Sequence, residues 1–223
     1  AESWQTPDRN GYCALYECKR GNPRCDVDVE GLAALPCDQI ITTSTAPTND
    51  WSAIDWGQRV ICIEAGDHTG RGTLTISASG TAQARKVLRY YREGDSGDDP
   101  WQPGHAKARV LALHASDQRF IVVHRLSFTE RRTTAPVYVS PGSSDLIFAH
   151  TLVEHVDPEF GSEPSVYVDG ASRTHVQNSV IRECFARVGN DGQGLNYMNT
   201  TDTRIVSNEL YNCSRLLSSV FSP

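Results

Sequence analysis

Two turns of this chain concentrate side chains that could move a proton or hold a cation. The first, residues 154–163, reads EHVDPEFGSE, and the second, residues 182–193, reads RECFARVGNDGQ. Between them they offer an imidazole (His155), two guanidinium groups (Arg182 and Arg187) and the carboxylates of Glu154, Asp157, Glu183 and Asp191. A base beside a fixed cation can take a proton from carbon next to a carboxylate, because the cation neutralises the charge that builds up. His155, Arg182 and Arg187 are therefore the candidate catalytic residues. Carboxylate and backbone oxygens on Gly-containing turns suit Ca²⁺, which makes Glu154, Asp157, Glu183 and Asp191 candidate metal ligands. The plainer reading of the same charges is a solvated, salt-bridged rim. Tyr138, Tyr167 and Asn196, which recur at one constant spacing, are candidates for binding substrate. Ser140, Asp169 and Met198 follow them at that same spacing.

These residues share a level because the second half of the chain repeats. Four rows can be written: 110–128 VLALHASDQRFIVVHRLSF, 136–154 PVYVSPGSSDLIFAHTLVE, 165–183 SVYVDGASRTHVQNSVIRE and 194–212 GLNYMNTTDTRIVSNELYN. The rows starting at Pro136, Ser165 and Gly194 are evenly offset and align without a gap, while the first row stands slightly closer to the second. Apolar columns emerge: Leu111, Val137, Val166 and Leu195; then Leu113, Val139, Val168 and Tyr197; then Ile121, Ile147, Val176 and Ile205; then Leu126, Leu152, Ile181 and Leu210. Alternation within each run has the strand period of two, and Gly-, Ser-, Asn- and Asp-containing turns separate the runs. One row cannot bury its apolar residues, whereas stacked rows bury them in a continuous core. Helical repeats would show a 3.6 period, leucine-rich repeats would be shorter and propeller blades longer. The fold expected is all-β, a parallel β-helix.

The segment Ile205-Val206-Ser207-Asn208-Glu209-Leu210 resembles the I-x-x-N-x-L turn of right-handed, pectate-lyase-like parallel β-helix proteins. The resemblance implies a right-handed solenoid with a polar ladder at this corner. On the row alignment, that ladder takes His124, His150, Ser179 and Asn208, so the two histidines read as structural. Further forward, Gly57 to Gly70 and Ser79-Gly80-Thr81-Ala82 resemble the opening coils of secreted polysaccharide lyases of the alginate lyase and chondroitinase B kind. Here His68 replaces the usual aromatic, and Arg85-Lys86 stands where a Pro often sits. This resemblance runs from about Gly57 to the end. It implies β-elimination on an acidic polysaccharide, with Ca²⁺ as the cofactor, at the turns named above. A reading of another class stands beside it: a non-catalytic surface or matrix protein that uses the solenoid as a stiff rod for adhesion or assembly.

Cysteine use points to export. Cys13, Cys18, Cys25 and Cys37 cluster before residue 50 at spacings too wide and irregular for a C-x-x-C metal site. They suggest a disulfide-stapled cap over residues 1–50, ahead of a β-helix over residues 51–223, in a secreted, extracellular or periplasmic protein. Cys184 and Cys213 each follow directly on the end of a row and so share a column in successive rows. Neighbouring strands lie about 4.8 Å apart, within reach of a disulfide, so this pair should join adjacent coils. A net charge of −6 disfavours a nucleic-acid partner. No stretch is long and apolar enough to span a membrane. Residues 93–107 form a polar Gly/Pro/Asp-rich excursion carrying Trp101. The last row runs out at Leu216-Leu217-Ser218-Ser219-Val220-Phe221 with no polar cap. An open solenoid end exposes unpaired backbone, so further sequence or another chain is expected to cover it.

Overall fold

A computed structural model describes residues 27–91, 108–129, 135–154, 164–184, 193–206, 208–213 and 215–220. The chain winds through three sheets in turn, and every strand pair within them is parallel. The first sheet contains Gln39–Ile41, Val60–Glu64, Lys86–Tyr91, Arg119–His124, Ser144–Ala149, His175–Gln177 and Arg204–Val206. The second contains Gly66–Asp67, Ala108–Val110, Ser127–Phe128, Leu152–Glu154, Val180–Cys184 and Glu209–Cys213. The third contains Thr73–Ile76, Ala112–Ala115, Val137–Val139, Pro164–Asp169, Gln193–Met198 and Arg215–Val220. This is the parallel β-helix expected from the repeat. Among the described residues, no helix is long and apolar enough to cross a membrane.

Alternate residues of each strand point inward. On the third sheet, Leu74, Leu113, Val137, Val166 and Leu195 stack in register, each at most 2% exposed. Burying each such side chain stabilises the fold by about 1.5–3 kcal/mol relative to leaving it in water. Trp51 and Ile54 join the same core from the segment between the first two strands. Trp51 donates its indole N–H to the Gly72 carbonyl at 3.0 Å and stacks on His68. The buried Arg71 guanidinium binds the carbonyls of Thr42, Thr45, Pro47 and Asp50, tying that segment down.

The register differs from the row alignment. Val137 pairs with Leu113, not Leu111, and Val139 pairs with Ala115. On the first sheet the inward column is Val123, Phe148, Val176 and Ile205, while Ile121 and Ile147 lie in other columns. On the second sheet it is Phe128, Val153, Ile181 and Leu210. The offset between the second and third rows is one residue larger at Val137↔Val166 than at Ile147↔His175. The turn after the third sheet is one residue shorter in the third row, so a gapless alignment slips every later column by one. Side chains alternate with period two, so a one-residue slip exchanges inward for outward positions.

The corner ladder changes with the register. Its members are Thr151, Ser179 and Asn208, not His124 and His150. Thr151 donates its hydroxyl to Ser179 Oγ at 3.0 Å, and the Ser179 amide donates to Asn208 Oδ1 at 2.8 Å. Asn208 Nδ2 donates to the Val176 carbonyl at 2.7 Å. One-residue corners just before this ladder use the left-handed conformation, with φ of 54° at Arg125, 53° at His150 and 48° at Asn178.

The Cys184–Cys213 disulfide forms between adjacent coils, with Cα atoms 4.5 Å apart. Cys37 bonds Cys62 on the outward side of the first sheet. Cys13, Cys18 and Cys25 lie outside the described residues. Around the Cys37 staple, the helix Val29–Ala33 and its flanks cover a second apolar cluster of Val60, Cys62, Val87, Val122, Ile147 and Ala149. Asp28 caps this helix by accepting from the Gly31 amide at 2.8 Å. Two disulfides match an oxidising compartment.

A ladder of charge lines the corner that enters the first sheet, where Asp145, Arg173 and Asp202 all take positive φ. The Asp145 side chain is fully buried and accepts from Arg173 Nε at 2.8 Å and Nη2 at 2.9 Å. Arg85, also buried, donates to the Asp145 carbonyl at 2.7 Å. Asp145→Ala should cost about 3 kcal/mol. Part is the broken ion pair, discounted because Arg173 keeps some solvent, and part is alanine held in the left-handed region. Urea unfolding checks this, and a loss below about 1 kcal/mol would show that the pair has only a surface pair's value.

Candidate functional site

The substrate-binding candidates line up on the outward side of the third sheet. His114 pairs with Tyr138, Tyr138 with Tyr167, and Tyr167 with Asn196. Their inward neighbours on each side are buried, so the strand period sends these side chains outward. His114 meets Tyr138 edge-on with centroids 5.5 Å apart, and Tyr138 and Tyr167 lie 5.5 Å apart at an interplanar angle of 30°. All four are half-buried. The Tyr167 hydroxyl donates to Met198 Sδ at 3.1 Å, and Asn196 Nδ2 donates to Gln193 Oε1 at 2.9 Å. Asp169 follows Tyr167 outward and accepts from Asn199 Nδ2 at 3.4 Å. The result is a ladder of rings running along the solenoid axis, with an amide and a carboxylate beside it. Sequence spacing identified Tyr138, Tyr167 and Asn196. It missed His114, because the first row was set two residues out of register.

The catalytic and metal candidates belong to the second sheet and the turns that leave it. Arg182 pairs with Glu154 in the ladder, and its Nε donates to Glu154 Oε1 at 2.6 Å. Both side chains are about one fifth exposed, so the two charges offset each other at the surface. Glu183 sits at φ 59° inside its strand. His155, Asp157, Arg187 and Asp191 lie outside the described residues. Among the described residues, no three potential metal ligands converge around Glu154 or Glu183. They do converge on the outward side of the first sheet, at Glu30, His124 and His150.

That cluster follows from the corrected register. His124 ends its strand pointing outward, and His150 occupies the left-handed corner one coil later. His150 Nε2 lies 2.9 Å from Glu30 Oε1, and His124 Nε2 lies 3.7 Å from Glu30 Oε2. The two imidazoles meet edge-on with centroids 5.3 Å apart. Burial pushes the His124 imidazole down to about 3, assisted by the charges of Arg125, His150 and Arg89. His175, further along the same sheet, is pushed down to about 4 by burial and by the Arg204 and Arg85 charges. No sequence signal joined Glu30 to these histidines, because the contact spans 120 residues and depends on where the helix docks.

No protein-family model matches this chain, and neither a curated protein nor a solved structure is similar to it. The functional reading therefore rests on geometry and chemistry.

The buried histidines give a pH dependence with a definite sign. Unfolding restores each imidazole to its ordinary value near 6.5, so below that pH the unfolded chain binds more protons. Stability is then complete above about pH 6.5 and falls as the pH drops toward the folded values of about 3 for His124 and about 4 for His175. At about pH 5, His124 alone should cost on the order of 2 kcal/mol. Urea unfolding of chelator-treated protein at neutral pH and near pH 5 measures the loss, and His124→Gln should make the dependence shallower. An unchanged slope in that variant would assign the acid sensitivity elsewhere.

Proposed function

We propose that this chain is an exported β-helix protein that binds an extended polysaccharide along the outward side of its third sheet. The observation that carries this reading is the His114–Tyr138–Tyr167 ring ladder, continued by Asn196. Rings present apolar faces to the C–H surfaces of sugars, and their polar edges reach hydroxyl groups. A stiff solenoid holds those rings at fixed spacing, so little ordering entropy is lost on binding. Asp169 and Asn196 add hydrogen-bonding groups suited to hydroxyls. The two disulfides fit a protein that works outside the reducing cytosol.

Cleavage by β-elimination would ask more of the same surface: a base, a neutraliser for the uronate carboxylate and a proton donor. Of the three expected catalytic residues, Arg182 is the one described, and its guanidinium is engaged by Glu154. Binding without cleavage is therefore the reading the geometry favours, and it agrees with the scaffold class expected from the sequence.

Affinity electrophoresis against neutral and acidic polysaccharides tests this directly. Tyr138→Ala and Tyr167→Ala should each weaken retention by roughly tenfold, about 1.4 kcal/mol. Their thermal midpoints should fall only by what one ring pair contributes, about 0.5–1.5 kcal/mol. Equal retention of both variants and the parent chain would overturn the assignment of this face. Unsaturated uronate appearing in the ultraviolet, and lost in Arg182→Ala, would replace binding alone with lyase activity.

A further inference from the structure

Glu30, His124 and His150 come from three parts of the chain that no local rule brings together. Glu30 lies on the helix Val29–Ala33, His124 ends a strand of the first sheet, and His150 turns the corner after the next strand. Their ligating atoms all fall within 4.8 Å of one another. Four ligands around Zn²⁺ at 2.0–2.1 Å stand about 3.3 Å apart. The 2.9 Å and 3.7 Å separations between the carboxylate and the two imidazoles bracket that value.

A second observation points to a missing partner. His124 is 4% exposed, and its buried Nε2 makes no hydrogen bond. The nearest carboxylate oxygen, on Glu30, lies at 3.7 Å, too long for a hydrogen bond. An imidazole nitrogen left in this state costs free energy, yet the native chain carries it. Burial keeps this ring neutral, and with its proton on Nδ1 the Nε2 lone pair is free to bind a metal.

We propose that Glu30, His124 and His150 form a binding site for a divalent transition metal, with Zn²⁺ the best-fitting ion, which fastens the N-terminal helix to the outside of the β-helix. Two imidazole nitrogens and one carboxylate suit borderline ions such as Zn²⁺, Co²⁺ and Ni²⁺. Ca²⁺ requires six to eight oxygens, which this set does not supply. Three protein ligands leave a fourth position for water at the half-exposed His150 and exposed Glu30 side. Arg89 and Arg125 oppose a cation here. Arg89 is turned toward the Leu35 carbonyl and Cys37 Sγ, which draws part of its charge away. Affinity should accordingly fall below that of a closed cysteine-rich zinc site. The site is independent of the ring ladder, which lies on a different sheet.

The test uses the untagged, disulfide-intact chain, freed of metal with a chelator. Zn²⁺ at about a hundred times its dissociation constant should raise the folding equilibrium constant roughly hundredfold, read as a higher thermal midpoint. Ca²⁺ at the same concentration should leave the midpoint unchanged. His150→Ala and Glu30→Gln change partly or fully exposed side chains and should fold, yet both should lose the Zn²⁺ shift. Co²⁺ should give visible d–d absorption in the parent chain and none in His150→Ala. No Zn²⁺ or Co²⁺ effect in the parent chain would overturn the proposal. So would an equal shift in both variants, which would place the ion elsewhere.

Discussion

Each coil of this molecule depends on the next. A single turn of three short strands leaves its backbone groups unpaired on both edges and its inward side chains open to water. Parallel pairing in all three sheets satisfies the backbone, and register between coils lets Leu113, Val137, Val166 and Leu195 bury one another. Everything else is arranged around that stack. Corners must bend the chain within one or two residues, so they take left-handed φ at Asp145, Arg173 and Asp202, and at Arg125, His150 and Asn178. Polar side chains at those corners then meet their counterparts in the adjacent coil, as hydroxyls and amides at one corner and as an ion pair at another.

The same stacking shapes what the surface can do. An inward column of aliphatic residues obliges the alternate residues to form outward columns, and a repeat that conserves type makes those columns into ladders. Tyr138 over Tyr167 is such a ladder. Charged residues obey the rule as well: Glu154 over Arg182 forms an ion pair because the register sets opposite charges one strand apart. A β-helix therefore offers long, regular stripes more readily than pockets, and a linear polymer is the partner that matches a stripe.

The first sheet shows how the N-terminal segment alters this pattern. Its outward face begins apolar, with Val60, Val87, Val122 and Ile147, and would be exposed without a cover. The helix Val29–Ala33 provides that cover and is held by the Cys37–Cys62 bond. Docking there buries His124, which would otherwise be a surface residue, and carries Glu30 to the edge of both imidazoles. A covering element thus creates a group of ligands that neither the helix nor the solenoid holds alone.

Periodicity was legible from the sequence because the apolar columns recur in every coil, and the interior tolerates little else. The parallel β-helix, the Cys184–Cys213 bond, the outward Tyr138 and Tyr167 and the Asn208 corner all follow from that recurrence. What it could not convey was the register where a turn changes length. One residue fewer after the third sheet moved Thr151 into the ladder, and it placed His150 on the outside corner. Only the paired backbone decides such a shift, since adjacent residues in a strand face opposite ways and a gapless alignment reads equally well by eye. The Glu30 contact lay further still from the sequence. It depends on a helix five residues long seating against strands far along the chain, and packing determines that, not any local preference.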